Sequence, residues 1–246
     1  MSIYFVSGID TGIGKTIATG AMACYLLHCG IRVISAKMVQ TGNDGFSEDL
    51  LKHREMTGTG LFPEDREGLT APQIFRYPAS PHLAAKLEHR TLDLDAIRIA
   101  VELLSERYEI VLVEGAGGLA VPLTEDLLTV DFVAERKWPL ILVSSARLGS
   151  LNHTIQAIEM AASRNLQIVG TVFNCCPEND EIIRKDSRRM IEKYLLRHGH
   201  RPAIVDLPEI GDPVPRIDFS VFFNNEKTRK DTKRHEKILG KLNDEC

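Results

Sequence analysis

No apolar run in this chain reaches membrane length. The longest, such as residues 140–145, are the size of a strand, far short of the roughly 20 apolar residues that a transmembrane helix needs. An excess of charge of one sign is also missing. A formal net charge of -4 provides no basic field for nucleic acid and leaves a charged small molecule as the easier partner to accommodate. Cysteine is sparse and odd in number: Cys24, Cys29, Cys175, Cys176 and Cys246 have no metal-ligand spacing. That set fits a reducing cytoplasm better than a disulfide framework. The first residues read as a structural strand rather than a leader. Neither an internal repeat nor a low-complexity tract is present. The expectation is a cytoplasmic protein without nucleic-acid or membrane partners.

Apolar, β-branched segments recur at residues 3–7, 32–36, 110–114, 140–144, 168–174 and 203–207, with amphipathic stretches such as 92–106 and 152–164 between them. Strands without polar alternation, separated by helices, require a parallel sheet covered on both faces. The fold class is therefore α/β, a doubly wound and mainly parallel sheet of the P-loop NTPase type. The length suits one such unit over residues 1–223, followed by a charged tail at 224–246. Residues 41–90, rich in Gly, Pro and charge, read as an elaborated loop with one helical piece at 48–56. Long insertions of that kind are often functional.

The first strand runs into Gly8-Ile9-Asp10-Thr11-Gly12-Ile13-Gly14-Lys15-Thr16 and then into a helical pattern. Such a loop turns backbone N–H groups and a helix N-terminus toward phosphate, with Lys15 for the terminal phosphates and the Thr16 hydroxyl for Mg²⁺. Its glycine spacing is one residue longer than the common G-x-x-x-x-G-K-[ST] pattern. ParA- and MinD-like switch ATPases carry a signature lysine where this chain has Asp10. Asp10 and Thr11 are read either as turn formers or as substrate contacts.

Ligands of such sheets collect beyond the carboxyl ends of the strands. Glu114, followed by Gly115-Ala116-Gly117-Gly118, offers a carboxylate there, and Asp49, or else Glu48, would complete a Mg²⁺ set with Thr16. Lys37 either neutralises a transferring phosphoryl group or is simply solvated. The backbone opening the helix at Ser150, Leu151 and Asn152 could receive a carboxylate or be a capped helix end, with Ser150 as cap. Asn174 could pair with a purine edge or form a turn.

In order, G-x-D-T-x-x-G-K-T at Gly8 to Thr16, K-x-V-Q-T-G at Lys37 to Gly42, S-P-H at Ser80 to His82, V-E-G-A-G-G at Val113 to Gly118, L-N-H at Leu151 to His153, and Asn174 resemble dethiobiotin synthetase. The resemblance implies an ATP- and Mg²⁺-dependent ligase of biotin synthesis, closing a cyclic urea from 7,8-diaminononanoate and CO₂ through a carbamate. It implies Thr11, Lys15, Lys37 and Thr41 around diamine and carbamate, and Thr16, Asp49 and Glu114 at the metal. Gly12, Ile13, Gly14, Lys15, Thr16, Glu114, Gly117, Asn174, Pro208 and Glu209 would surround the nucleotide. Ser150, Leu151 and Asn152 would hold the substrate carboxylate across a homodimer interface. Two positions depart from the family pattern: Gly12, where many members are acidic, and Met38, where proline is usual. The alternatives are a diverged paralogue acting on a related diamine, or a nucleotide-switch ATPase of the MinD and ParA kind.

Overall fold

The computed structural model describes residues 2–176, 180–211 and 214–223. In chain order these form β1 (Ser2–Gly8), α1 (Lys15–His28), β2 (Val33–Lys37), β3 (Gln40–Thr41), α2 (Glu48–Thr57), α3 (Pro63–Arg66), β4 (Ile74–Phe75), α4 (Pro81–Leu87), α5 (Leu94–Arg107) and β5 (Ile110–Gly118). They continue with α6 (Thr129–Glu135), β6 (Leu140–Ser145), α7 (Ser150–Ser163), β7 (Ile168–Asn174), α8 (Glu181–Arg197) and β8 (Ile204–Leu207). The expected tail at 224–246 lies outside the described residues.

The main sheet has the order β2-β5-β1-β6-β7-β8, and every pairing in it is parallel. From β1 the chain crosses beyond β5 to make β2, while β6, β7 and β8 extend the other side. The carboxyl end of β1 is therefore the switch point where a crevice opens. Successive residues of β1 feed different cores, as a two-unit side-chain period demands. Phe5 packs with the α5, α6 and α7 side, whereas Tyr4 and Val6 pack with α1. The α1 side is closed by Phe219, Phe222 and Phe223, with Phe223 edge-on to Tyr4 at 5.1 Å between centroids.

The segment 41–90 corrects the sequence expectation. It is not a loop with one helix but carries α2, α3, α4 and a small parallel pair, β3 with β4. Residues 181–197, to which no element was assigned from sequence, form α8. Two-residue strands and a four-residue helix are too short to show a period, so the pattern that revealed the main strands could not reveal them.

Candidate functional site

At the crevice, Gly14 takes a left-handed conformation (φ 99°) at the start of α1, and among the described residues no side chain caps that helix. The first N–H groups of α1 are thus left for an anion. A Cβ on Gly14 would lie 2.6 Å from Asn174 Nδ2, so only glycine lets β7 approach the loop so closely. The loop closes on itself: Asp10 Oδ1 accepts from the Thr11 N–H at 2.8 Å, and Lys15 Nζ donates to the Asp10 carbonyl at 2.9 Å. Asp10 also pairs with Arg147 at 3.3 Å. Turn formation is what Asp10 does in this structure.

Lys37 is not a solvated lysine. It is 5% exposed, and its Nζ lies 2.5 Å from Asp49 Oδ2, 2.8 Å from Glu114 Oε1 and 3.1 Å from the Gly115 carbonyl. Burial works to strip its proton, but the carboxylates of Glu114 and Asp49 outweigh it and raise its pKa. Burial likewise works to protonate Glu114, which is fully inaccessible. Lys37 and His53 prevail there, holding the carboxyl well below its usual range. Lys15 is pushed down to about 8, first by burial and then by the like charge of Lys37.

The Thr16 hydroxyl lies 2.7 Å from Asp49 Oδ1 and 3.1 Å from Glu114 Oε1. Of the two acids weighed beside Thr16, Asp49 therefore faces the site, while Glu48, the residue before it, is exposed. Among the described residues no group of three or more His, Cys, Asp or Glu side chains is arranged to hold a metal ion. Two carboxylates and a hydroxyl are nevertheless a fitting set for Mg²⁺, which keeps several waters and takes its remaining oxygens from phosphates.

β5 runs on through Gly118, so Glu114 is paired inside the strand opposite Val6 and Lys37 rather than standing just after it. The glycines permit this: a Cβ on Gly115 would meet the Phe5 ring at 2.7 Å. Met38 is buried and donates its N–H to the Glu114 carbonyl at 2.8 Å, a bond that proline could not make.

Lys15, Thr16, Lys37, Asp49 and Glu114 line one cavity of about 710 Å³ together with Thr11, Gly12, Gly14, Thr41, Gly117 and the turn Pro78 to Pro81. Ile13 is buried beneath the loop. A second cavity of about 350 Å³ lies on the other side of Thr11 and Val121 and reaches His153 and Gln156 of α7. Ser150, Leu151 and Asn152 line neither cavity. Ser150 is not the cap expected of it: Gly149 holds that position, and Ser150 Oγ is buried without a partner among the described residues. Asn174 donates to the Ile13 carbonyl at 2.9 Å and accepts from the Cys176 N–H at 3.0 Å. Pro208 and Glu209 are exposed just after β8, at the same sheet edge. His53, absent from the sequence reading, lies in the core of the site with Nε2 3.0 Å from Glu114 Oε2. Its one sequence signal is the helical i, i+4 spacing from Asp49.

A family model described as an AAA domain matches residues 3–214. An ATP-dependent dethiobiotin synthetase of Pasteurella multocida is 45% identical over 197 residues, spanning 80% of this chain and 92% of the relative. A second, from Chlorobaculum tepidum, is 45% identical and covers 85% of this chain and 88% of its own. A third, from Halalkalibacterium halodurans, is 36% identical, covering 92% and 90%. Among solved structures, a ParA family ATPase from Chlorobium tepidum superposes with a TM-score of 0.50 at 17% identity, covering 86% of each chain. The MinC:MinD cell division complex of Aquifex aeolicus gives 0.50 at 15%, covering 85% and 82%. At that identity the likeness carries the fold alone.

Proposed function

The chain belongs to the family of ATP-dependent dethiobiotin synthetases, and from that premise we propose that it closes a cyclic urea from 7,8-diaminononanoate and CO₂. It is an ATP-dependent ligase that uses Mg²⁺. In the proposed course, one amine of the diamine takes up CO₂ as a carbamate. A carbamate oxygen attacks the γ-phosphorus of ATP and ADP leaves, giving a carbamic-phosphoric anhydride. The second amine attacks the carbonyl carbon, expels inorganic phosphate and closes the ring. No covalent intermediate with the protein is required.

The protein's task is to hold two anions in line, and it does so mainly by fixed charge. Lys15 and Lys37 would neutralise the γ-phosphate and the carbamate, while the backbone at Gly12, Ile13 and Gly14 cradles the phosphates. Thr16, Asp49 and Glu114 would hold Mg²⁺, which supplies charge neutralisation across the phosphate oxygens when bound. Thr11 and Thr41 would contact the diamine, and Gly117 and Asn174 the nucleotide, with Pro208 and Glu209 at its outer edge. Because Ser150, Leu151 and Asn152 stand outside the cavity of their own chain, we assign them to the substrate carboxylate in the cavity of a second copy, in a homodimer. The burial of Phe219, Phe222 and Phe223 supports one functional unit through residue 223.

The observation that carries this reading is Lys37, a buried cation clamped between Glu114 and Asp49 in the cavity that Lys15 also lines. Its charge is needed chiefly where the phosphoryl group transfers. Lys37→Ala should lower turnover by about 10²–10³-fold, the scale of losing one preorganised electrostatic group, and weaken ATP binding far less. Steady-state kinetics beside equilibrium nucleotide binding checks this, and equal losses in both would contradict it. ATP consumption in the parent protein should require both bicarbonate and the diamine.

A further inference from the structure

The two carboxylate oxygens of Glu114 serve different neighbours. Oε1 faces the cavity, 2.8 Å from Lys37 Nζ and 3.1 Å from Thr16 Oγ1. Oε2 faces α2, where His53 Nε2–H donates to it at 3.0 Å. His53 has no exposed surface, and its Nδ1 has no partner among the described residues.

A fully buried imidazole with one unpaired nitrogen carries a desolvation cost that an apolar side chain would not. The one bond it makes is to the Glu114 oxygen that Lys37 and Thr16 leave unused. Their hydrogen bonds to Oε1 must be given up when Lys37 turns to a phosphoryl group and Thr16 to a cation, whereas the bond from His53 lies on the far side and can persist. His53 stands one helical turn after Asp49, so α2 delivers both a group to the cavity and the group behind Glu114.

We infer that His53 is a positioning residue: by holding Oε2 it fixes the rotation of the Glu114 carboxylate and so presents Oε1 to the cavity as a ligand for a divalent cation. This rests on the reading of Glu114 as part of the Mg²⁺ set. Partners behind a ligating carboxylate tune metal affinity in this way.

The test uses the full chain and follows binding of a fluorescent ATP analogue without diamine, as a function of Mg²⁺. His53→Asn, whose amide is too short to reach Glu114, and His53→Leu should raise the half-saturating Mg²⁺ concentration about tenfold or more, and His53→Gln, with a nitrogen near the place of Nε2, should stay within about threefold of the parent. Analogue binding in the absence of Mg²⁺ should not change. If His53→Leu fails to fold, the comparison of Gln with Asn decides. The inference is overturned if the Asn variant keeps the parent's Mg²⁺ requirement, or if Gln and Asn lose Mg²⁺-dependent and Mg²⁺-free binding alike. Glu114→Gln is the companion variant. If it raises the Mg²⁺ requirement and His53→Asn does not, this inference alone fails; if it leaves the requirement unchanged, the reading of Glu114 falls and the inference with it.

Discussion

Lys15 and Lys37 bring the same charge to one cavity under opposite conditions. Lys37 is matched by two carboxylates and keeps its proton, while Lys15 has, among the described residues, only the Asp10 carbonyl as its hydrogen-bond acceptor and is pushed down to about 8. Below that pH Lys15 is a cation, and triphosphate binding favours the cation; above it, binding must take up a proton. Affinity for an ATP analogue should therefore hold up to about that pH and then decline, by as much as about tenfold per pH unit. Lys15→Ala should bind more weakly and lose this decline, as binding titrations on either side of that pH would show; a parent whose affinity rises through this range would contradict it. The loop residues were legible in the sequence because strand, glycines, lysine and threonine lie in one short run. His53 was not, because the interaction that matters joins residues 61 positions apart.

At the scale of the element, α2 is the part that must not move, since it supplies both Asp49 and His53. Arg54 anchors it with Nε and Nη2 on the two oxygens of Asp65, at 2.9 and 2.7 Å, and with Nη1 on Ser35 of β2 at 2.7 Å. Thr70 donates to Asp65 at 2.7 Å. Burial works to raise the Asp65 pKa, but the hydrogen bonds from Arg54 and Thr70 outweigh it and hold the carboxyl below its ordinary range. The pair's stability is therefore present above the ordinary carboxyl range and is lost as pH falls below it toward the depressed value. Asp65→Asn, which leaves Arg54 buried without its counter-charge, should cost about 3–5 kcal/mol at neutral pH. Urea unfolding should show this, together with a shallower loss of stability in acid than the parent. A cost below 1 kcal/mol, on the scale of an exposed pair, would mean that Arg54 does not anchor α2. The helix itself was legible from its polar start and length. Its anchor was not, because α3 is a single turn, too short to register as a pattern in a Gly- and Pro-rich segment.

For the whole molecule, the parallel sheet and its two covering layers could be anticipated because most main strands lack polar alternation, as a sheet covered on both faces requires; the strand order was not read from the sequence. Assembly could not be read from periodicity, and the proposed dimer has its own test. In a two-fold assembly each site would take Lys37 from one copy and the start of α7 from the other. Leu151→Pro removes one N–H in a first helical turn, where proline is tolerated. Mixed with Lys37→Ala chains under conditions that exchange subunits, it should restore up to about a quarter of the parent activity, since half the dimers would be mixed and one of their two sites intact. Activity no greater than the sum of the two variants would place the α7 residues elsewhere. The central claim, that the released phosphate carries away one carbamate oxygen, is tested most directly with ¹⁸O-labelled bicarbonate, the diamine and Mg-ATP. Mass spectrometry of the products should find one ¹⁸O from the carbon source in the released inorganic phosphate for each ring closed. Unlabelled phosphate accompanying ring closure, or phosphate released without the diamine, would contradict it.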